Sequence, residues 1–555
     1  MSDKNFRKNK FNNNVCTTEM NFQECEMAIL RHAVDESEKI KGEKLANSDE
    51  IRHIVGILED FLIKKKCICY GGTAINNILP KFAQFYNRDI EVPDYDFYSA
   101  TPLDDAKELA DIYYKEGYTE VEAKAGVHYG TYKVFVNFIP IADITLLAKE
   151  IFDSIRKEAI HVNGILYCPP NFLRMNMFLE LSRPAGDVSR WEKVLKRMTL
   201  LNQYYPFEPT IPCNKIDFEG EEPQVIDTTE KIYYVLRDTL IDEGVVFFGG
   251  YASSLYSKYM SSTERHKARS IPDFDVISEE PDRCAILVMK KLIQNGYKKV
   301  KHIVHEEVGE IIPKHIEIRV GKETLAFIYY PIACHNYNII HIKNREIKVA
   351  TIDTILSFYL AFYYSKNPHY FRDRILCMAK FLFDLEQKNR LEQKGLLKRF
   401  SINCYGEQPT LEAIRAKKAD KFRELKDNRN SREFQEWFLN YKPHTVVKVN
   451  ENPNEKKLDE KFTPLPSSNN KDPTKEDISK RINESVKDTR QSTSFNEHLP
   501  HSLHKPDVNR IGTLRKHSSS HKKTMKHKLH KSKSAHKSKS ALKSKSTHKS
   551  KSAPN

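Results

Sequence analysis

A three-part signature occurs twice in this chain, about 180 residues apart, and that repetition restricts the fold more than any other feature. The first copy reads Tyr70-Gly71-Gly72-Thr73-Ala74, then Pro93-Asp94-Tyr95-Asp96, then Ile139-Pro140-Ile141-Ala142-Asp143. The second reads Phe248-Gly249-Gly250-Tyr251-Ala252, then Pro272-Asp273-Phe274-Asp275, then Tyr330-Pro331-Ile332-Ala333-Cys334, so that a cysteine stands where the third acid is expected. Gly117-Tyr118 and Gly296-Tyr297 keep the same 179-residue offset as Asp94 and Asp273. Agreement of several landmarks in order reads as a tandem duplication, with one working site and one degenerate copy.

Around each signature, helical and strand patterns interleave. Apolar residues at helical spacing predict helices over Met20–Gly42 and Glu50–Lys66, and a third runs from Leu103 to Glu116 and stops at Gly117. Lys133-Val134-Phe135-Val136-Asn137-Phe138 alternates as a strand does. The second copy repeats the order, with helices over Lys231–Ile241 and Arg283–Gln294 and a strand at His315–Val320. Helical sequence follows each unit, over Asn171–Tyr204 and Thr351–Gln387. The expected fold class is α/β (α+β), two tandem domains, each a mixed sheet with flanking helices. The expected boundaries are an N-terminal helical arm over 1–49, a catalytic domain over 50–150, a helical segment over 151–215, a second domain over 216–345, a helical region over 346–441 and a tail over 442–555.

Net charge tempts a nucleic-acid reading until it is located. The formal +15 falls almost wholly on Ile511–Asn555, where 14 Lys and Arg meet no Asp or Glu. Basicity is therefore a property of the tail, whose Lys/Ser/His repeat is too poor in apolar residues to order itself and is expected to be disordered. Lysines there are suited to sequence-independent contact with an RNA backbone. The ten cysteines are scattered without a C-x-x-C pair, which argues against zinc and for reduced thiols. The polar, charged start and the lack of a long apolar run make secretion and membrane insertion unexpected.

The first copy carries the chemistry. In a strand, residues i and i+2 share a face, so Asp94 and Asp96 project together while Tyr95 points into packing. Carboxylates that close repel one another and favour a divalent cation between them, and Mg²⁺ takes such hard oxygens together with substrate phosphates. Asp143, from a neighbouring strand, is placed to complete a two-metal set. Gly71 and Gly72 let backbone amides approach phosphate oxygens, the Thr73 hydroxyl can donate, and a helix starting near Ala74 would point its positive end at them. Arg174, Lys193 and Lys196 are candidates to neutralise a triphosphate.

At these residues the chain resembles the DNA polymerase β-like nucleotidyltransferase superfamily and, over about Glu50 to Arg390, the poly(A) polymerase catalytic subunits of poxviruses and giant DNA viruses. The resemblance implies tandem nucleotidyltransferase-like domains of which one is catalytic, and template-independent transfer of adenylate from ATP to an RNA 3′ end. It implies Asp94, Asp96 and Asp143 as catalytic ligands of two Mg²⁺ or Mn²⁺ ions, with Gly71, Gly72 and Thr73 holding the triphosphate of ATP. It further implies a homodimer or work with a second subunit, no stable DNA partner, and an intracellular viral protein that would act in host cytoplasm and could be carried in the particle. Another nucleotidyltransferase, making a nucleotide messenger or modifying a protein, would share this active site, and a non-enzymatic RNA-binding scaffold would not need it.

In the second copy Tyr251 replaces Thr73, and a thiol at Cys334 is a poor Mg²⁺ ligand, which together predict a structural domain. Glu317 is the one acid there with a chance of substituting. Lys258, Arg265, His266, Lys267 and Arg269 form a basic stretch that suits either an RNA backbone or a solvated loop.

Overall fold

A computed structural model of the chain describes residues 15–17, 20–46, 48–87, 91–209, 211–213, 226–260, 274–366 and 371–443. Asp273, the basic residues Arg265, His266, Lys267 and Arg269, and the tail from residue 444 onward lie outside the described residues.

Two helices lead in, α1 (Phe22–Ala46) and α2 (Asp49–Lys65). In α2 the apolar residues Ile51, Ile54, Leu58, Phe61 and Leu62 recur at helical spacing and are buried, and Lys66 in the left-handed region ends it. The first sheet comprises β1 (Ile68–Cys69), β2 (Tyr95–Ser99), β3 (Val121–Ala125), β4 (Thr131–Val136), β5 (Ile139–Leu146), β6 (Ile160–Val162) and β7 (Ile165–Tyr167), in the spatial order β3-β4-β5-β2-β1-β7-β6. Between them stand α3 (Gly71–Ile78), α4 (Pro102–Lys115) and α5 (Lys149–Arg156), followed by α6 (Pro170–Leu181) and α7 (Trp191–Tyr204).

The second sheet, after α8 (Ile226–Asp242), comprises β8 (Val246–Phe248), β9 (Phe274–Ile277), β10 (Val300–His305), β11 (His315–Val320), β12 (Glu323–Tyr329), β13 (His335–Ile342) and β14 (Arg345–Ala350). Its order, β10-β11-β12-β9-β8-β14-β13, is the first order repeated strand for strand. The directions repeat too. β2 lies parallel to β5 as β9 does to β12, β1 parallel to β7 as β8 does to β14, and the remaining pairs of both sheets are antiparallel. The glycine helix α9 (Gly249–Tyr256) occupies the place of α3. The duplication inferred from spacing is thus present as two mixed sheets flanked by helices.

The helix Ile352–Tyr364, buried along its whole length, lies against α6, where Tyr364 meets Phe172 edge-on at 5.3 Å. An element all of whose faces are apolar or satisfied belongs inside a core, and this one joins the two halves. The region read as helical beyond residue 346 also contributes two short strands. β15 (Cys404–Tyr405) pairs with β13, and β16 (Asn440–Tyr441) pairs with β3 at the edge of the first sheet. The helices Leu411–Leu425 and Arg432–Phe438 carry the chain from one to the other.

The expectation of reduced thiols is corrected. Cys16–Cys25, Cys213–Cys377 and Cys334–Cys404 are disulfide-bonded, and Cys67, Cys69, Cys168 and Cys284 remain as buried thiols. Scattered spacing hid partners up to 164 residues apart in sequence.

Candidate active site

The core side of β2 carries Tyr95 and Phe97, both fully buried, so alternation turns Asp96 to the opposite face, and Asp94, two residues earlier, to the same side. β5 runs parallel beside it with Asp143 directly opposite Asp96, and residues in register on adjacent strands share a face. β4 continues the row on the far side of β5, with Lys133 opposite Asp143. Lys133 Nζ donates to Asp143 Oδ2. The third acid is therefore on its own strand, beyond a tight turn at Asn137 and Phe138, both at positive φ.

Crowding shows in the acidities. Burial pushes the Asp96 carboxyl up to about 7, helped by the charges of Asp94 and then Asp143, while Lys133 opposes the shift. Asp94 is raised by desolvation and then by Asp143, again against Lys133. Like charges held together raise one another's pKa, and a divalent cation would relieve them. Among the described residues no three His, Cys, Asp or Glu side chains stand in a ready-made metal cluster, and the third carboxylate is paired with Lys133. The donor set itself, hard carboxylate oxygens on one face, fits Mg²⁺ or Mn²⁺.

The glycine turn opens directly into a helix. α3 starts at Gly71 rather than near Ala74, and Gly71 takes a φ of +72°, which a residue with a β-carbon rarely adopts. A β-carbon there would lie 2.6 Å from Asp96 Oδ2, so the glycine is what allows the second acid to sit against the helix start. Tyr70 N–H also donates to the Asp96 carbonyl at 2.9 Å. The Thr73 side chain is buried and its hydroxyl donates to the Asp94 carbonyl at 2.5 Å. It holds the Asp-x-Asp segment to α3.

The three phosphate-neutralising candidates fall in different surroundings. Arg174 is buried and donates to Asn202, Asn171 and the Tyr205 carbonyl. Lys196 is exposed and paired with Glu192, and Lys193 is exposed on the same helix. The cation beside the turn is Arg197, one residue further along α7. A β-carbon on Gly72 would lie 2.7 Å from Arg197 Nη2 and 2.6 Å from the Tyr86 hydroxyl, to which Arg197 donates. Arg197 rests over the rings of Phe85 and Tyr86, with no carboxylate in ion-pair contact among the described residues. Buried Asn76 of α3 fixes this loop by accepting from the N–H groups of Phe85 and Tyr86, each at 2.8 Å. On α7 Arg197 shares a face with Lys193, four residues earlier, so helical phase did not single it out from the sequence.

The second sheet repeats the geometry with different chemistry. Gly249 takes a φ of +66° and abuts Asp275, as Gly71 abuts Asp96. Opposite Asp275 on β12, however, stands Phe327, and opposite Phe327 on β11 stands Glu317. The structural counterpart of Asp143 is therefore Phe327 and not Cys334, which lies past the end of β12 and is bonded to Cys404. Glu317 matches Lys133. Its side chain is fully buried and accepts from Thr324, Arg319 and His305, which hold its carboxyl low against the opposing effect of burial. Tyr251 packs its ring against Phe247 and Phe274 instead of facing a ligand. Lys258, the described member of the basic stretch, lies over the ring of Tyr259.

Residues 56–187, which hold the first signature, match the family described as the poly(A) polymerase catalytic subunit. A protein of Acanthamoeba polyphaga mimivirus provisionally named as such a subunit is 31% identical over 236 residues, which cover 41% of this chain and 39% of that protein. An African swine fever virus protein with the same provisional name is 32% identical over 194 residues, covering 34% of this chain and 40% of its own length. The chain thus spans about two fifths of the length of these relatives. The crystal structure of the Megavirus polyadenylate synthase superposes with a TM-score of 0.63 at 20% identity, covering 74% of this chain and 86% of that one, and shows a shared fold. Over residues 56–187 the chain is therefore similar to the poly(A) polymerase catalytic subunit family, and its fold is shared with the Megavirus polyadenylate synthase.

Proposed function

We propose that this protein is a polynucleotide adenylyltransferase, adding adenylate from ATP to an RNA 3′ end without a template. The observation that carries the reading is the register of the first sheet, which sets Asp96 and Asp143 side by side with Asp94 on the same face. Two Mg²⁺ or Mn²⁺ ions bound there would polarise the attacking hydroxyl and steady the leaving pyrophosphate. Asp94 and Asp96 would hold the triphosphate side of the site through those ions, and Asp143, on the neighbouring strand, would lie nearest the RNA 3′ hydroxyl and orient it. The backbone amides of Gly71 and Gly72 would face the phosphates at the positive end of α3, and Arg197 would meet them as a fixed, unneutralised guanidinium. Thr73 would act indirectly, by holding Asp94.

In this reading residues 50–150 are the catalytic domain. Residues 216–345, with Phe327 in the place of the third acid, are a packing partner without its own chemistry. The reading is tested by incubating the full chain with a short RNA primer, Mg²⁺ and each nucleoside triphosphate separately, beside Asp96→Ala and Asp275→Ala variants. Long tails with ATP alone, lost in the first variant and kept in the second, are expected. No extension with any nucleotide would remove RNA as the acceptor and favour a different nucleotidyltransferase.

A further inference from the structure

Lys133 is a charged group of the first sheet that faces the proposed site and that the reaction as proposed does not use. Its ammonium is bonded to Asp143 across the β4–β5 register, and both side chains keep partial access to water. The second sheet supplies an independent observation. Where Phe327 takes the place of Asp143, Glu317 takes the place of Lys133, so the lysine is absent where the acid is absent.

We propose that Lys133 is a positioning residue that stands in for the cation at the third carboxylate. It occupies Asp143 while the site holds no divalent ion and gives it up when one binds, and so it sets the ion concentration at which the three acids assemble. An ammonium at hydrogen-bond distance takes the carboxylate lone pairs that a divalent cation needs, so the two compete for the same oxygen. The long flexible stem of a lysine lets the displaced charge swing out to solvent without moving the strand. The inference rests on the reading of Asp94, Asp96 and Asp143 as metal ligands, and its test separates the two.

The removal of this charge has two effects of opposite sign. Metal binding becomes tighter because the competitor is gone, and the metal-free protein becomes less stable because three crowded carboxylates lose their cation. A merely structural lysine would give the second effect without the first. The experiment uses the full chain and Mn²⁺ alone, with binding followed by the paramagnetic resonance signal of free Mn²⁺ and stability by thermal unfolding with and without the ion. Lys133→Met is expected to lower the Mn²⁺ dissociation constant about three- to tenfold, the range open to a partly exposed pair beside further charges. It is also expected to lower the metal-free Tm, with the loss restored by Mn²⁺. Lys133→Arg, which keeps the charge, should bind Mn²⁺ as the wild type does. Should Lys133→Met fail to fold, Lys133→Gln carries the same expectation. Binding that Asp143→Asn abolishes but that the neutral variants leave unchanged or weaken overturns the role of Lys133 alone. Absence of saturable Mn²⁺ binding by the wild type overturns the metal-site reading, and this inference with it.

Discussion

Replacing Gly71 by alanine isolates the close approach on which the proposed site depends. Two costs arise, and they separate. The first is conformational, since a φ of +72° costs an L-residue about 1–2 kcal/mol, partly offset by the smaller entropy of the unfolded alanine chain. The second is geometric. The new methyl would stand 2.6 Å from Asp96 Oδ2, where ordinary contact begins at 3.4 Å, so the carboxylate must retreat by nearly an ångström. Displacement of a reacting group by about 1 Å can cost about a hundredfold in rate. Gly117→Ala is the control, because Gly117 also has a positive φ, +99°, but its β-carbon would meet nothing within 4 Å. Gly249→Ala is the second, because it crowds Asp275 in the sheet that lacks the third acid. Primer extension with ATP, read beside thermal unfolding, should show comparable losses of stability for Gly71→Ala and Gly117→Ala, of order 1 kcal/mol. A loss of rate near a hundredfold is expected for Gly71→Ala alone. A Gly71→Ala protein that is folded and works within a few-fold of wild type would refute the argument that this glycine exists to admit Asp96.

Other outcomes follow from the same geometry. Arg197→Ala should raise the KM for ATP by about tenfold or more, the worth of a charge-assisted bond to phosphate, and unchanged nucleotide kinetics would exclude it from the phosphate path. His335 is fully buried with neither ring nitrogen hydrogen-bonded, and burial followed by the charge of Arg183 pushes its pKa down to about 3. The unfolded chain therefore binds a proton that the folded one refuses, so stability is complete above about pH 6.5 and falls by up to about 5 kcal/mol towards pH 3. Denaturant unfolding across that range should show a shallower slope in His335→Leu, and an equal slope would refute the assignment. Arg399 donates to both oxygens of buried Asp353 and is paired with buried Glu386, so Arg399→Met strands two acids and should cost about 3–5 kcal/mol on unfolding. Alkylation of the unreduced, denatured protein followed by mass spectrometry should label four cysteines, and labelling of all ten would contradict the three disulfides.

How much of this was legible depends on how far apart the deciding residues lie. The Asp94–Asp96 face needed only strand alternation, and α2 and α4 needed only helical periodicity, since each is written in neighbours along the chain. The third acid was legible in the first copy and misread in the second. Matching Ile139-Pro140-Ile141-Ala142-Asp143 to Tyr330-Pro331-Ile332-Ala333-Cys334 followed similarity of letters, whereas β12 has already ended at Tyr329. Counting from the hairpin turn would have found the counterpart, because Asp143 and Phe327 are each the fifth residue of their strand, and Lys133 and Glu317 each the third of theirs. Turn position sets register in a hairpin, and register sets which residues face one another.

By itself the sequence determined that the chain is built twice on one plan, where several of its helices and two of its strands fall, and that only the first copy carries a full set of acids. Periodicity, glycine turns and alternation are local, and they survive reading one residue after another. The tertiary structure alone decided that Lys133 holds Asp143, that Thr73 holds Asp94, that Arg197 rather than Arg174 stands beside Gly72, and that residues 440–441 return to close the edge of the first sheet. Each of these joins residues that local pattern cannot relate, because which strand edge, buried cavity or unpaired charge a distant side chain meets is settled only when the whole core closes.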